Sequence, residues 1–194
     1  MKPYAIDLPN HVLRFSLPEE IVRGDLPVTL VQRFEPRDAS FVKNGFYEMF
    51  AMLYDIKGPF WVGAYGSLKI HLMVQKKLPE YESETATIEK LERYVHWKIS
   101  RGNDAQGCVI SRSSLNGAPS VRRQWNTFGD PRKREPEDLE IFSLPLNDEL
   151  FLDVGFNVKA WEGGRGKEGK WKAKAEALRE AIKATIVLEP KPVR

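Results

Sequence analysis

The stretch Leu150–Trp161, LFLDVGFNVKAW, decides the fold class of this chain. Apolar residues stand at every second position from Leu150 to Val158, so one face of an extended strand is continuously apolar. The stretch SLKIHLMVQ (67–75) shows the same alternation, with lysine, histidine, methionine and glutamine on its other face. Two such strands predict a sheet that lies against a hydrophobic core.

Two other segments have the helical period instead. Over residues 84–100 the apolar side chains are three or four positions apart, which predicts an amphipathic helix. A second helix is expected over residues 170–184, where Trp171 begins an apolar stripe. We expect this stripe to pack on the sheet, with Trp171 as a core anchor.

Shorter strand-like runs at 27–34, 107–115, 120–128 and 184–189 are separated by turns, and residues 38–55 fit either a helix or a strand. This order favours an α+β fold with a mainly antiparallel, curved sheet and two or three helices packed on one face. The proline-punctuated residues 1–26 are predicted to be an irregular lead-in. Residues 27–194 are predicted to form a single domain.

Composition excludes several classes of protein. The chain has 194 residues, a net charge of +3 and a single cysteine, Cys108, so neither an intrachain disulfide nor a cysteine-rich zinc site can form. The net charge is too small to indicate a nucleic-acid binder. Charges and prolines interrupt the N-terminus, and no apolar run is long enough to cross a bilayer, so a soluble cytoplasmic protein without a membrane span is expected.

No catalytic constellation is visible. His11, His71 and His96 are far apart and lack metal-binding spacing, and the serine-hydrolase pattern G-x-S-x-G is absent. Structural or surface roles are expected for all three histidines. The sequence therefore predicts a protein that is not an enzyme and has no cofactor or metal.

One segment resembles a phosphate-binding loop. In WEGGRGKEGKW (161–171), Gly164, Gly169 and Lys170 spell G-x-x-x-x-G-K. Trp171 stands where such a loop needs a serine or threonine to bind magnesium. Two interpretations stay open: a turn from strand to helix, or nucleotide or polyanion binding through the Gly/Lys loop 163–170.

Basic and aromatic residues near this loop predict a binding surface. Arginines and lysines would steer an acidic protein partner, and tryptophans would anchor it. The predicted partner-binding residues are Arg122, Arg123, Trp125, Lys159, Trp161, Arg165, Lys167 and Lys170.

The C-terminal half also resembles a known arrangement. LNGAPSVRRQW, a charged loop, LFLDVGFNVKAW, a basic glycine loop, WKAKAEALREAI and KATIVLEP follow in order, and Ile182–Ile186 matches an I-x-x-S/T-I element. This series resembles Mog1/PsbP-like proteins, which include DcrB-like proteins and small chaperone and immunity proteins of type VI secretion effectors. The N-terminal YAIDLPNHVLRFSLP is similar to the start of some immunity proteins. The resemblance implies a bacterial protein that binds and neutralises or escorts an effector toxin.

Overall fold

The structure is a computed structural model that describes residues 1–19, 29–57, 63–101, 107–130, 132–164 and 166–192. Its strands are β1 (Lys2–Asp7), β2 (His11–Leu17), β3 (Thr29–Leu30), β4 (Phe46–Lys57), β5 (Ala64–Lys76), β6 (Val109–Leu115), β7 (Ala118–Asn126), β8 (Glu137–Pro145), β9 (Leu150–Ala160) and β10 (Val187–Pro190). Its α-helices are α1 (Ala39–Asn44), α2 (Ile88–Arg101) and α3 (Glu168–Lys183), and a 3-10 turn spans Glu162–Gly164.

These strands form two antiparallel sheets, so the predicted α+β class is confirmed. Within the described residues, the larger sheet has the order β3-β4-β5-β9-β8-β7-β6 and the smaller has the order β1-β2-β10. In the larger sheet, β5 pairs with β9 along their length, from Gly66 opposite Ala160 to Lys76 opposite Leu150. The two strands whose alternation was clearest in the sequence therefore lie together at the centre of the larger sheet.

One face of the larger sheet holds the main core. The even-numbered residues from Leu68 to Val74 on β5 and from Leu152 to Val158 on β9 are buried there. The smaller sheet and α3 cover this face, and Trp171 of α3 is only 2% exposed. The prediction that Trp171 is a core anchor is confirmed.

Helix α2 lies on the opposite face. Its Leu91, Tyr94 and Val95 pack with Val121 of β7 and Phe151 of β9 in a second cluster. Phe151 is odd-numbered, and successive side chains of a strand point to opposite faces. The prediction that the helices pack on one face is therefore wrong, because the apolar stripe of α2 is buried by the other side of the sheet.

The N-terminal residues are more regular than expected. Strands β1 and β2 form a hairpin, and β2 also pairs with the C-terminal β10. Their inward side chains, such as Leu13 and Phe15, belong to the main core. The prediction of an irregular lead-in over 1–26 is thus wrong for residues 2–17, where alternating apolar residues outweigh the prolines. The number of domains stays a prediction.

The ambiguous segment 38–55 contains both a helix and a strand. Asp38 caps α1 by accepting hydrogen bonds from the backbone N–H groups of Ser40 (2.8 Å) and Phe41 (3.2 Å). Gly45 ends the helix with a φ of 73°, which glycine adopts readily, and β4 follows at once. In the predicted strand 27–34, the described part is strand only at Thr29–Leu30.

No helix in the described part of the chain combines the length and the apolar character needed to span a bilayer.

Candidate functional site

The face of the larger sheet that carries α2 is only partly covered. Helix α2 packs mainly against β6, β7 and β8, and it reaches β5 and β9 near Gln75 and Phe151. Beyond that point, no helix of the described chain lies over this face of the sheet. We call this region the open face. Its side chains are half-buried or exposed. They belong to Ala51, Leu53, Lys69, His71, Trp125, Leu139, Asn157 and Lys159.

The strand register brings this surface together from distant parts of the sequence. Leu53 is opposite Lys69, which is opposite Asn157. Leu139 and Trp125 continue the same row across β8 and β7. With about 4.8 Å between strands, this row extends roughly 20 Å, the scale of a macromolecular contact.

Three of the predicted partner-binding residues gather at one end of the sheet. The Lys159 ammonium lies 5.5 Å from the Trp161 ring centroid and forms a 2.6 Å ion pair with Glu135. The backbone N–H of Trp161 donates to the carbonyl of Tyr65, and the Lys167 ammonium lies 4.8 Å from the Tyr65 ring. Both lysine ammonium groups therefore lie within the cation–π distance of an aromatic ring.

Arg122 lies on the other face of the sheet. Its Nε donates to Glu140 Oε1 at 2.5 Å, and its Nη2 donates to Gln124 Oε1 at 2.8 Å. Glu140 also accepts a hydrogen bond from Lys183 of α3. Arg122 therefore belongs to the ion-pair network between the sheet and α3.

Arg123 is buried on the α2 side, with 8% of its surface exposed. Its Nη2 donates to Asp153 Oδ2 at 2.6 Å and to Ser143 Oγ at 3.1 Å. Consecutive residues of a strand face opposite ways, so Arg122 and Arg123 share no surface. Arg123 is therefore not part of an exposed basic rim, contrary to the sequence prediction.

The remaining predicted residues lie in the Gly/Lys loop. Arg165 is outside the described residues, and of Lys170 only the backbone is described. Gly164 lies so close to the backbone of Tyr65 that a Cβ would overlap it, and its carbonyl accepts a 3.2 Å hydrogen bond from Trp171 Nε1. This glycine of the loop is therefore required for packing.

A buried polar cluster lies beside the open face, and sequence reasoning missed it. Asp153, 2% exposed, accepts hydrogen bonds from Gln75 (2.5 Å), Arg123 (2.6 Å) and Ser143 (2.5 Å). Lys98 of α2 donates to Gln75 Oε1 at 2.9 Å. The cluster connects the helix to four strands of the sheet, β5, β7, β8 and β9.

His71 borders this cluster on the open face. Its ring lies against Gly155, and its Nδ1 is buried without a hydrogen-bond partner. Burial lowers the pKa of His71, Lys69 and Arg123 lower it further, and Asp153 opposes the shift. Burial at this position therefore favours the neutral imidazole.

The pKa of Lys98 is also shifted by burial and by the neighbouring charges. Burial lowers the pKa of the Lys98 ammonium, Asp153 opposes the shift, and Arg123 reinforces it. Two cations thus share one buried carboxylate in this cluster.

The chemistry of the cluster favours holding the structure together. Both oxygens of Asp153 already accept hydrogen bonds, whereas Nδ1 of His71 and Oδ1 of Asn157, both on the open face, are buried without a hydrogen-bond partner among the described residues. In the described ranges, no three histidine, cysteine or acidic residues come close enough to hold a metal ion. A glycine and an aspartate inside the alternating strand LFLDVGFNVKAW were the sequence signal for the cluster.

Comparisons with known proteins add little to this geometry. No protein-family model matches the chain, and no curated protein matches it. One solved structure, the crystal structure of LpqN involved in cell envelope biogenesis of Mycobacterium tuberculosis, is similar with a TM-score of 0.47 and 12% sequence identity. The match covers 97% of this chain and 91% of that one. Similarity at this level assigns neither a family nor a function.

Proposed function

We propose that this chain is a non-enzymatic protein that binds another protein through the open face. The observation that carries the proposal is the contrast between the two faces of the larger sheet. One face is covered by α3 and the smaller sheet, while on the open face Leu53, Leu139 and Trp125 are half-buried and no helix in the described ranges packs over them. Aliphatic and aromatic side chains that are ringed by polar groups are typical of interface centres.

Charged groups on the open face would guide the partner. Lys69 is exposed within the row that runs from Leu53 to Trp125, and Lys159 lies at the end near Trp161. Such groups mainly set the association rate and its salt dependence. We infer a partner surface in which acidic groups stand beside apolar side chains.

The finer proposal is that the partner is a secreted type VI effector toxin and that this chain is its immunity or chaperone protein. The order hairpin, charged loop, long strand, glycine loop, helix and closing strand supports a Mog1/PsbP-like arrangement, the group in which such proteins occur. We propose a bacterial, cytoplasmic setting on the same basis.

A capture experiment with matched variants tests the general proposal. Tagged wild type, Lys69→Glu and Lys43→Glu would be used to recover partners from native lysate at low salt. Lys43 is exposed on α1, away from the open face, so Lys43→Glu controls for the charge change alone. We expect one stoichiometric partner with wild type and Lys43→Glu, and about tenfold weaker binding with Lys69→Glu. Equal recovery by all three proteins would contradict the proposed surface, and recovery of no partner would contradict the function.

The toxin hypothesis has its own test. If the neighbouring reading frame encodes an effector, its expression should stop growth, and co-expression of this chain should restore growth. Restoration by Lys43→Glu but not by Lys69→Glu would connect protection to the open face. A neighbouring product that is harmless, or toxicity that this chain does not relieve, would contradict the immunity role.

A further inference from the structure

A cleft separates the two sheets at the N-terminal end of the chain. It has a volume of about 610 Å³, and its walls are β1, including Tyr4 and Ala5, and the segment that contains Leu30 and Gln32. This volume is within the range of ordinary ligand sites, roughly 300–1,000 Å³. The cleft is distinct from the open face.

The walls of the cleft are strands that begin to pair and then diverge. The backbone N–H of Asp7 donates to the carbonyl of Gln32, and the N–H of Phe34 donates to the carbonyl of Asp7, both at 2.8 Å. Asp7 and Arg33 form a parallel bridge. The next rung, from the N–H of Gln32 to the carbonyl of Ala5, is not formed in the described structure. The two walls are therefore joined at Asp7 and separate towards the start of β1.

The backbone of β1 presents hydrogen-bonding groups to this cleft. Leu8 donates to His11 of β2, whereas Asp7 donates to Gln32 on the other side, so odd-numbered residues of β1 point away from β2. The N–H and carbonyl of Ala5 therefore face the cleft. Pro3 faces it as well but has no N–H to donate.

The opposite wall presents a matching pair of groups. The N–H of Val31 donates to Met49 of β4 at 2.8 Å, so the neighbouring Leu30 directs its N–H and carbonyl away from β4 and into the cleft. An inserted strand would find one donor and one acceptor on each side. It would need the walls to be about 10 Å apart, twice the usual spacing of neighbouring strands.

The side chains at the cleft define the chemistry of this inserted strand. Tyr4 and Leu30 are half-buried and pack against the main core, and Tyr4 stacks on Phe15 at 5.3 Å. An apolar side chain on the inner face of the strand would cover both. The exposed Lys2 ammonium lies 5.7 Å from the Tyr4 ring and would attract an acidic residue at the mouth.

We propose that this cleft binds an extended peptide, which adds as a strand between β1 and β3. The backbone of Ala5 and Leu30 provides the hydrogen bonds, and Tyr4 and Leu30 accept one apolar side chain next to an acidic residue. The peptide joins the two sheets across the gap between them.

Panning of a phage library of random heptapeptides on the intact wild-type chain tests this site. Enriched peptides should contain an apolar residue beside an acidic one and should bind the purified chain when fluorescently labelled. Ala5→Pro removes the N–H that faces the cleft without removing a β1–β2 hydrogen bond, and proline is tolerated in edge strands. Ala5→Ser keeps this N–H and is the matched control.

We expect Ala5→Pro to weaken peptide binding about tenfold or more and Ala5→Ser to change it less than about twofold. Amide exchange of wild type gives a second measurement that needs no variant. Bound peptide should slow exchange at Ala5 and Leu30, while Val31, already bonded to Met49, should change little. An unchanged affinity of a folded Ala5→Pro variant, protection elsewhere, or no enriched peptide would overturn the proposal. None of these results depends on the open face or its partner.

Discussion

The imidazole of His71 occupies the space that a side chain at residue 155 would need. The two residues are register partners on the central strands β5 and β9, and a Cβ on Gly155 would overlap Cε1 and Nε2 of His71. Gly155 does not have a positive φ, so glycine is required here by the close approach and not by the backbone conformation. This contact fixes the ring at the border between the buried polar cluster and the open face.

Gly155→Ala should therefore destabilise the protein. Overpacking of a well-packed site costs about 1–3 kcal/mol, and urea unfolding would measure it. Gly169→Ala is the control, because a Cβ at this helical position meets nothing within 4 Å. That change should leave stability unchanged or raise it by up to about 1 kcal/mol. In the background of His71→Ala, the cost of Gly155→Ala should largely disappear; an unchanged cost would show that the overlap is not its cause.

The lowered pKa of His71 predicts that the protein loses stability on mild acidification. Its folded-state pKa is below the ordinary value of about 6.5, so the unfolded chain takes up the proton first as the pH falls. The contribution of neutral His71 to the free energy of unfolding is present above about pH 6.5. It is lost as the pH falls from that value to the folded-state pKa.

Urea unfolding at about pH 7.5 and about pH 5.5 measures this loss, which should be smaller for His71→Gln than for wild type. His11, whose pKa is also lowered first by burial and then by Lys191, contributes equally to both proteins and cancels in the difference. Identical losses in wild type and His71→Gln would contradict the assignment.

The buried pair of Arg123 and Asp153 makes a larger prediction. Asp153→Asn leaves the guanidinium of Arg123, 8% exposed, without a compensating charge. Removal of one partner of a buried ion pair costs about 3–5 kcal/mol, which a urea titration would detect. The double change Arg123→Met with Asp153→Asn should cost less, since it removes the buried guanidinium together with its carboxylate. A double variant less stable than Asp153→Asn alone would argue against this account.

Sequence reasoning succeeded where the signal was local. The alternation in LFLDVGFNVKAW and SLKIHLMVQ predicted β9 and β5, and the helical periods over 84–100 and 170–184 predicted α2 and α3. The failures were non-local. The local sequence around Arg123 does not show that this residue is buried. Its partner Asp153 is thirty residues later in the sequence and two strands away in the sheet. The side of the sheet on which α2 packs likewise depends on long-range connections.

Trp171 tests how α3 is anchored. The indole packs over Gly66 of β5, and its Nε1 donates to the carbonyl of Gly164, so helix, strand and loop meet at this side chain. Trp171→Ala should lower the free energy of unfolding by about 3–5 kcal/mol in urea titrations. Trp171→Phe keeps part of the packing and should cost less. A small effect of Trp171→Ala would mean that α3 is held mainly by its ion pairs with Asp138 and Glu140.

The Gly/Lys loop should not bind nucleotides or polyanions. A phosphate cradle needs backbone N–H groups that are available to the anion. In this loop the backbone N–H of Gly164 donates to the carbonyl of Trp161 at 2.9 Å, and the backbone N–H of Lys167 donates to the carbonyl of Gly164 at 3.0 Å. We therefore expect ATP, GTP, heparin and oligonucleotides to leave the melting temperature of wild type unchanged in a thermal-shift assay. A rise that Lys170→Ala abolishes, and that Lys43→Ala on α1 preserves, would instead favour anion binding at the start of α3, where the helix dipole attracts negative charge.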